Sequence, residues 1–508
     1  MTAPQERPNR TTWLLLGLIL AAGLGLRLYG LGTPALDVDE LFTVHFASGR
    51  GAWETALPLH TVLHPAPAVQ DLSSGAPWWR VWTSMGYDTH PPLHPLLLRG
   101  WSALAGQSDA AQRGLSVLLS LLTVVLLFDA VRTRHGDSAG LWAAALAAVA
   151  GPQIQYAQEI RSYAMMLTLG AAALAIAARI SAGRSRGWRL PIALASVCLV
   201  GVLTHYWSIG VLAPAALFAL VRADSSTRRR LLICLGASAA VFFLAWGPFF
   251  WQQRGNFQKN MLWIADTDPD HIGRSLRLVA ALPIRLLFDI AGQAASPIVY
   301  VAALLYVAAG ILAVTRRREG YWLWTAALLL PIALVLSADL AQQRKTLTLI
   351  RYTLPASLGL FAVFATLASG RRNPGRHLVP AMALIACLIA LPRAWDRGKP
   401  AWRELAARSI GTMQDGDALA ILCPPDGHWM GAIIYMALTR YAGAPPGPAV
   451  ILNAPAGADV VAKLKPRSSV VVVSNSSNPP IGPWLGELGT VAEDDRVPGA
   501  GSVQILRR

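Results

Sequence analysis

The sequence predicts an all-α polytopic membrane domain followed by a small α/β domain, and three observations carry that expectation. Only 14% of the residues are charged and 54% are hydrophobic, where ordinary soluble chains hold about 25% charged residues. The mean hydropathy is +0.43. Apolar residues gather in blocks of roughly 16–20, long enough to cross a bilayer core of about 30 Å. These features exclude an ordinary soluble enzyme, a disordered chain and a coiled coil.

Charge sets the orientation. Lys and Arg number 44 against 28 Asp and Glu, a formal +16 over 508 residues. On a soluble protein that balance would point to nucleic acid. Here the arginines lie in short loops between apolar runs, which is an orientation signal, and no nucleic-acid partner is expected.

Arg7 and Arg10 precede the first apolar run, Trp13 to Leu31. It is long and ends in no small-x-small pattern, so an uncleaved first span is expected rather than a signal peptide. Further runs cover 113–131, 139–156, 163–180, 190–205, 207–221, 231–251, 297–315, 321–338, 351–369 and 378–393, giving about eleven transmembrane helices. Basic residues mark every second loop: Arg132 and Arg134; Arg184, Arg186 and Arg189; Arg222 and Arg228 to Arg230; Arg316 to Arg318; Arg371, Arg372 and Arg376. The alternation puts the N-terminus in the cytoplasm and everything after about 394 outside.

Two segments, 90–105 and 272–291, are amphipathic and carry charges in their middles. Counting either one alone as a span breaks the alternation, so both are expected as helices on the outer membrane surface. The sequence thus divides into a membrane domain, 1–394, and an external domain, 395–508. In the tail, β-patterned runs at 418–423, 449–453, 469–474 and 503–506 alternate with helical patterns at 401–413, 428–442 and 481–488. That alternation predicts a largely parallel sheet. Cys198, Cys234, Cys387 and Cys423 are scattered and have no disulfide or zinc spacing.

The middles of the spans carry almost no ionisable side chains, whereas ion-coupled transporters place such groups near the midplane. The polar residues collect at the outer helix ends. This suits an enzyme acting on a membrane-borne substrate at the outer interface. The competing readings are a multi-pass lipid or polysaccharide transporter, which needs midplane polar groups or repeated halves, and a non-enzymatic membrane subunit.

Five groups stand at those outer ends. Asp37-Val38-Asp39-Glu40 is either a solvated acidic turn or a source of a carboxylate general base. Asp88-Thr89-His90-Pro91-Pro92-Leu93 reads as a helix start, but that does not account for His90 and His94. In Gln158-Glu159-Ile160-Arg161-Ser162-Tyr163, residues 159 and 161 do not face one another on a helix, so each needs another partner. Thr204-His205-Tyr206-Trp207 holds interface anchors and one recessed histidine. Gln343-Arg344-Lys345 and Arg351-Tyr352 place cations outside, against the charge rule. They suit a phosphate, with lipid headgroups as the alternative ligand.

Taken in this order, these motifs resemble the GT-C superfamily of integral-membrane glycosyltransferases, on the bacterial branch related to protein O-mannosyltransferases and lipid A aminoarabinose transferases. Ala401-Trp402-Arg403 after the last span adds to the likeness, which covers roughly 1–394. The resemblance implies a bacterial inner-membrane enzyme of the cell envelope with a periplasmic active site. A sugar on polyprenyl phosphate would pass, with inversion, to a hydroxyl of a glycan, lipid or protein acceptor. It implies Asp39 as general base with Glu40 beside it. Arg344, Lys345, Arg351 and Tyr352 would hold the donor phosphate. His90, Glu159, Arg161, Tyr163 and His205 would bind the remaining substrate. No cofactor is certain. Some relatives hold a divalent metal ion, for which Glu40, His90, Glu159 and His205 are all candidates. The acidic pair is followed by Leu41-Phe42-Thr43, which leaves the acceptor open.

Overall fold

The computed structural model describes residues 9–185, 187–288, 321–368, 377–396, 398–453, 455–474 and 483–507. The expected span 297–315, Arg186, and the basic residues of 316–320 and 370–376 lie outside the described residues. So does the start of the helical pattern 481–488.

In chain order the helices are α1 (Arg10–Leu28), α2 (Val38–Ala47), α3 (Trp53–Ala56), α4 (Trp79–Ser84), α5 (Leu93–Ala105), α6 (Asp109–His135), α7 (Asp137–Val149), α8 (Gly151–Ala157), α9 (Tyr163–Ser181), α10 (Arg189–Val202), α11 (Ile209–Arg222), α12 (Ser225–Asn260) and α13 (His271–Phe288). Then come α14 (Trp322–Gln342), α15 (Ala356–Thr366), α16 (Leu378–Ala390), α17 (Trp402–Arg408), α18 (His428–Ala442), α19 (Ala458–Leu464) and α20 (Pro483–Gly486). Five strands accompany the last helices: β1 (Ala418–Leu422), β2 (Ala449–Leu452), β3 (Ser469–Ser474), β4 (Thr490–Val497) and β5 (Gly501–Arg507).

Two compact units emerge. The first comprises 1–31, 89–94 and 113–397, and the second 32–88, 95–112 and 398–508. The unit that holds the tail thus also takes in most of the first external loop.

In the first unit, α1, α6, α9, α12 and α14 are long and apolar enough to cross a bilayer, and five shorter apolar helices accompany them. Each expected run other than 297–315 overlaps a described helix, and 139–156 overlaps two. Their outer faces carry large apolar side chains, with Leu14 69%, Leu244 83% and Ile389 77% exposed. Such faces suit hydrocarbon and would be a liability in water. Inward faces are built from small residues. At Gly359 an added Cβ would overlap the backbone of Ala327 and Leu328, so α14 and α15 approach as closely as backbones allow.

The run 139–156 is two helices, not one. Ala150 is extended and Pro152 sits in the first turn of α8. The carbonyl of Ala147 therefore loses the Gly151 amide that a continuous helix would supply, and that of Ala148 could have had none from Pro152. Arg27 serves both: its Nη2 donates to Ala147 O at 3.0 Å and its Nη1 to Ala148 O at 2.7 Å. The same guanidinium donates to Gly23 O at 3.0 Å and to Ser120 Oγ at 2.9 Å. Arg27 is fully buried.

In the second unit the strand order is β2-β1-β3-β5-β4. β1 pairs in parallel with β2 and β3, but β5 is antiparallel to both β3 and β4. The expectation of a largely parallel sheet is corrected to a mixed one. β4 was not expected at all. Its Glu493-Asp494-Asp495 run is exposed at the sheet edge, where charge discourages further pairing. The core is aliphatic, with Ala418, Val450, Val470 and Leu506 of the sheet packed with Val460 and Leu464 of α19. The outer edge of β2 is covered by the first loop: His60 N donates to Ile451 O at 2.9 Å and Leu63 N to Ala449 O at 2.8 Å.

Arg27→Met is expected to leave two to three carbonyls unmet in an apolar interior, at about 1–3 kcal/mol each. Thermal unfolding in detergent should show a large fall in Tm, only partly recovered by Arg27→Lys, whose ammonium has no planar fork. An unchanged Tm in the Met variant refutes the role given to this side chain.

Candidate functional site

The first unit assembles a buried polar cluster from segments far apart in sequence. Leu93 N donates to Leu203 O at 3.1 Å, tying the start of α5 to the link between α10 and α11. This brings the His90 and His205 rings to 5.3 Å between centroids. Residues 158–162, between α8 and α9, form the next wall. Gln158 Nε2 donates to Arg27 O and Tyr29 O at 2.9 and 2.8 Å. Ser116 Oγ donates to Glu159 O at 2.6 Å. So fixed, the segment sends Arg161 Nη2 to 3.2 Å from His90 Nε2. A guanidinium only donates, so that imidazole nitrogen accepts. Tyr163 lies 5.6 Å from the His205 ring and 5.7 Å from the Arg161 guanidinium carbon.

His205 is 3% exposed. Its Nδ1 accepts the Trp207 amide at 3.2 Å, so the neutral ring carries its proton on Nε2. That Nε2 is buried and has no partner among the described residues, and neither has His94 Nε2. Burial, then the neighbouring Arg161 and His90, push His94 down to about 3, so it stays neutral at working pH. An unmet buried donor beside a guanidinium is a place where an oxygen-rich ligand gains more than it would in water. Gln253 closes the back. Its Nε2 donates to His90 O at 2.8 Å, and its Oε1 accepts from Tyr206 Oη at 2.5 Å.

Arg351 and Arg161 both act electrostatically on His205. Arg351 lies over the rings of Trp263 and Tyr352, at 5.6 and 5.4 Å. Tyr352 in turn meets Trp207 at 6.1 Å. The link from α14 to Tyr352 is braced from two sides. Asp339 accepts from Thr346 N and Leu347 N at 2.9 and 2.8 Å. Arg285 of α13 donates to Leu347 O and Thr348 O at 2.7 and 2.6 Å. Arg344 pairs with Ala265 in an isolated bridge, and Lys345 is exposed. Of the expected site residues, the structure therefore gathers His90, Arg161, Tyr163, His205, Arg351 and Tyr352.

Asp39 and Glu40 belong to the second unit. α2 begins with a capping box: Asp37 Oδ1 accepts from Glu40 N at 2.9 Å, and Glu40 Oε2 accepts from Asp37 N at 3.0 Å. Lys399 completes the group, reaching Asp37 Oδ2 at 2.5 Å and Glu40 Oε2 at 2.9 Å. Glu40 is fully buried and Asp39 only half-buried. The two adjacent acids thus differ in kind: the Glu40 carboxylate is committed to the helix start, and Asp39 stands on the first turn with more exposure. Lys399 escaped the sequence reading. Its only signal was a lone Lys-Pro pair just after the last span.

Among the described residues no three His, Cys, Asp or Glu side chains group as metal ligands. The His90–His205 cluster has a guanidinium at hydrogen-bond distance from one ring, which opposes a cation there.

Lys399→Met would leave the buried Glu40 carboxylate without its ammonium, at a cost of about 3–5 kcal/mol. Adding Glu40→Gln should recover most of that loss in a denaturation series, and failure to recover it would argue against the pairing. His45 of α2 supplies a pH test. Its Nε2 faces Gly51 O at 3.2 Å, and burial pushes its pKa down from 6.5 to about 4. Below 6.5 the unfolded chain takes the proton and the folded chain does not. Stability is therefore complete above that pH and falls as pH drops from 6.5 to 4. His45→Gln should flatten this part of the Tm-against-pH curve.

Residues 89–251 match the family of dolichyl-phosphate-mannose-protein mannosyltransferases. No curated protein matches the chain by sequence. Among solved structures, mycobacterial arabinofuranosyltransferase AftD is similar over 99% of this chain and 42% of its own, at 15% identity and a TM-score of 0.52. ArnT from Cupriavidus metallidurans bound to undecaprenyl phosphate is similar over 98% of both chains, at 16% identity and a TM-score of 0.45. The Archaeoglobus fulgidus oligosaccharyltransferase with zinc and sulfate matches over 90% of this chain and 68% of its own, at 13% identity and a TM-score of 0.46. The family match covers the segment that builds the histidine cluster, and the fold is similar to that of the mycobacterial arabinofuranosyltransferase.

Proposed function

We propose that the protein is an inverting glycosyltransferase of a bacterial inner membrane, working on the periplasmic side. It moves a sugar from a polyprenyl-phosphate donor to a hydroxyl of a periplasmic or lipid-linked acceptor. The observation that carries this reading is the buried cluster of His90, Arg161, Tyr163 and His205, with Arg351 in electrostatic range. Most of it lies inside the segment matching a family named for a polyprenyl-phosphate sugar donor.

The chemistry assigned to each group follows from its type. The acceptor oxygen attacks the anomeric carbon as its proton passes to the Asp39 carboxylate. The carbon–oxygen bond to the phosphate breaks, and the electron pair leaves with polyprenyl phosphate. Negative charge then grows on the phosphate oxygens. Arg351, with Arg344 and Lys345 nearby in sequence, supplies fixed positive charge for it. Tyr352 holds the Arg351 guanidinium by stacking. His205 Nε2–H and Arg161 offer hydrogen bonds to sugar or phosphate oxygens, and His90, assigned to the same substrate group, holds the Arg161 guanidinium by accepting from it. Glu159 is assigned to the same substrate group.

Asp39→Asn should lower transfer by about 10²–10⁴-fold, the usual worth of a general base, with Tm unchanged. Transfer at the wild-type rate removes Asp39 from that role. Arg351→Ala should weaken polyprenyl-phosphate binding roughly 10–100-fold, as for a lost charge-assisted contact. Native mass spectrometry of the gently extracted protein reads this directly. Polyprenyl phosphate should co-purify with the wild type and be depleted in the variant. If only bulk phospholipid is found, even after polyprenyl phosphate is added, the donor assignment fails.

A further inference from the structure

A second polar site lies wholly within the second unit. A cleft of about 410 Å³ opens between the loop at 68–71, the α5–α6 link and helices α17 and α18. That volume is within the range of small-molecule sites, about 300–1,000 Å³. Asp109 forms its wall and is held by three donors. Arg440 reaches its Oδ1 with Nε at 3.1 Å and Nη2 at 2.9 Å, while Arg403 Nη2 and Tyr441 Oη reach its Oδ2 at 2.8 and 2.9 Å. Asp71 stands at the other side, held by Ser73 Oγ and Ser74 Oγ at 2.6 Å.

Three features describe what would bind there. Charge comes first: two arginines, Arg403 and Arg440, face two carboxylates, Asp71 and Asp109, so the lining is neutral overall. Hydrogen bonds in the Ser73-Ser74 turn keep Asp71 ionised well below the usual carboxylate range. A phosphate or sulfate would meet that fixed negative charge and find the arginines already paired.

The second feature is unmet bonding capacity. Gln70 is 5% exposed and lines the cleft. Its Nε2 donates to Leu41 O at 2.8 Å, but its buried Oε1 has no partner among the described residues. Among the described residues, the Arg403 guanidinium is hydrogen-bonded through Nη2 alone, to Gly32 O and Asp109. The cleft thus offers a free acceptor at its floor and free donors at its mouth.

The third feature is an apolar plane. The Arg403 guanidinium lies 5.2 Å from the Tyr441 ring centroid, so a flat, partly apolar surface borders the planar polar groups.

We propose that this cleft binds a neutral, hydroxyl-rich chain, a short segment of glycan. Sugar hydroxyls each donate and accept, matching a lining with a buried unmet acceptor at Gln70, an exposed guanidinium at Arg403 and no net charge. Gln70 is bonded to the carbonyl of Leu41, on the helix that carries Asp39, so this face of α2 is fixed by a residue of the cleft. The role of the glycan as acceptor rests on the transferase reading, but its binding does not.

The test uses the full chain in detergent and isothermal titration with manno-, galacto- and arabino-oligosaccharides of about three to five units, within the size that such a cleft holds. Inorganic phosphate is the anionic control. Ala68 is exposed on the rim, so Ala68→Trp blocks the cleft without removing any of its bonds. Arg403→Met removes the free donors, and the Tm of each variant checks its fold. Saturable binding of at least one oligosaccharide is expected, tenfold weaker or more in Ala68→Trp with Tm unchanged. Absence of binding to the wild type overturns the proposal. So does equal binding by Ala68→Trp, or phosphate binding that this variant abolishes. Binding retained in Asp39→Asn separates the cleft from the catalytic assignment: the base can fail and the cleft stand, or the reverse.

Discussion

The guanidinium of Arg27 is the constraint on which the first unit turns. Pro152 has no amide hydrogen, so a continuous helix through 139–156 is impossible without an orphaned carbonyl at Ala148. In hydrocarbon no water can fill that vacancy. Arg27 fills it, takes Ala147 O as well, and joins α1 to α6 through Ser120. The break allows α8 to leave the line of α7, and α8 delivers residues 158–162. Gln158 then bonds back to the carbonyls of Arg27 and Tyr29. A charge that is expensive in a membrane is thus placed where four acceptors meet it, and the chain reversal that presents Arg161 depends on them.

The second unit uses the same device. Lys399 binds two carboxylates that already cap α2. A capping box alone is worth about a kcal/mol. The buried ammonium adds specificity, because only one placement of residue 399 satisfies both Asp37 and Glu40. It also separates the roles of two neighbouring acids. Glu40 is committed to the helix start, whereas Asp39 is not part of the box.

Much of this was legible in the sequence because the bilayer makes hydropathy informative. Runs such as 163–180 and 321–338 have few alternatives to a helix when every backbone group must be satisfied internally. β1, β2 and β3 were legible for a related reason: buried parallel strands are nearly continuous aliphatic runs. β4 was not, because an edge strand carrying Glu493-Asp494-Asp495 has the composition of a loop. The helix break at Ala150 was hidden by alanines that suit one long span, although Pro152 signalled it. Individual site motifs were visible as outer-end polar residues. Their grouping was not, since His90 and Arg161 meet through the Leu93–Leu203 and Gln158–Arg27 bonds, which no local pattern encodes. Lys399 and the Asp109 cleft lie furthest from the sequence, because their partners are about 330 to 360 positions away.

The histidine cluster also shows why polar groups at helix ends need not be structural. A group serving only the fold would be expected to meet its partner, as Arg27, Asp339 and Arg285 do. His205 meets one on Nδ1 and none on Nε2. Leaving that donor unmet costs the folded protein about 1–3 kcal/mol. The surroundings increase the cost, since Arg161 and Arg351 add positive charge and no carboxylate among the described residues bonds to the ring. An anionic or oxygen-rich ligand removes the penalty and gains two cations at once. A chain that met this donor internally would be more stable by that amount. The difference is available as binding free energy for whichever oxygens arrive.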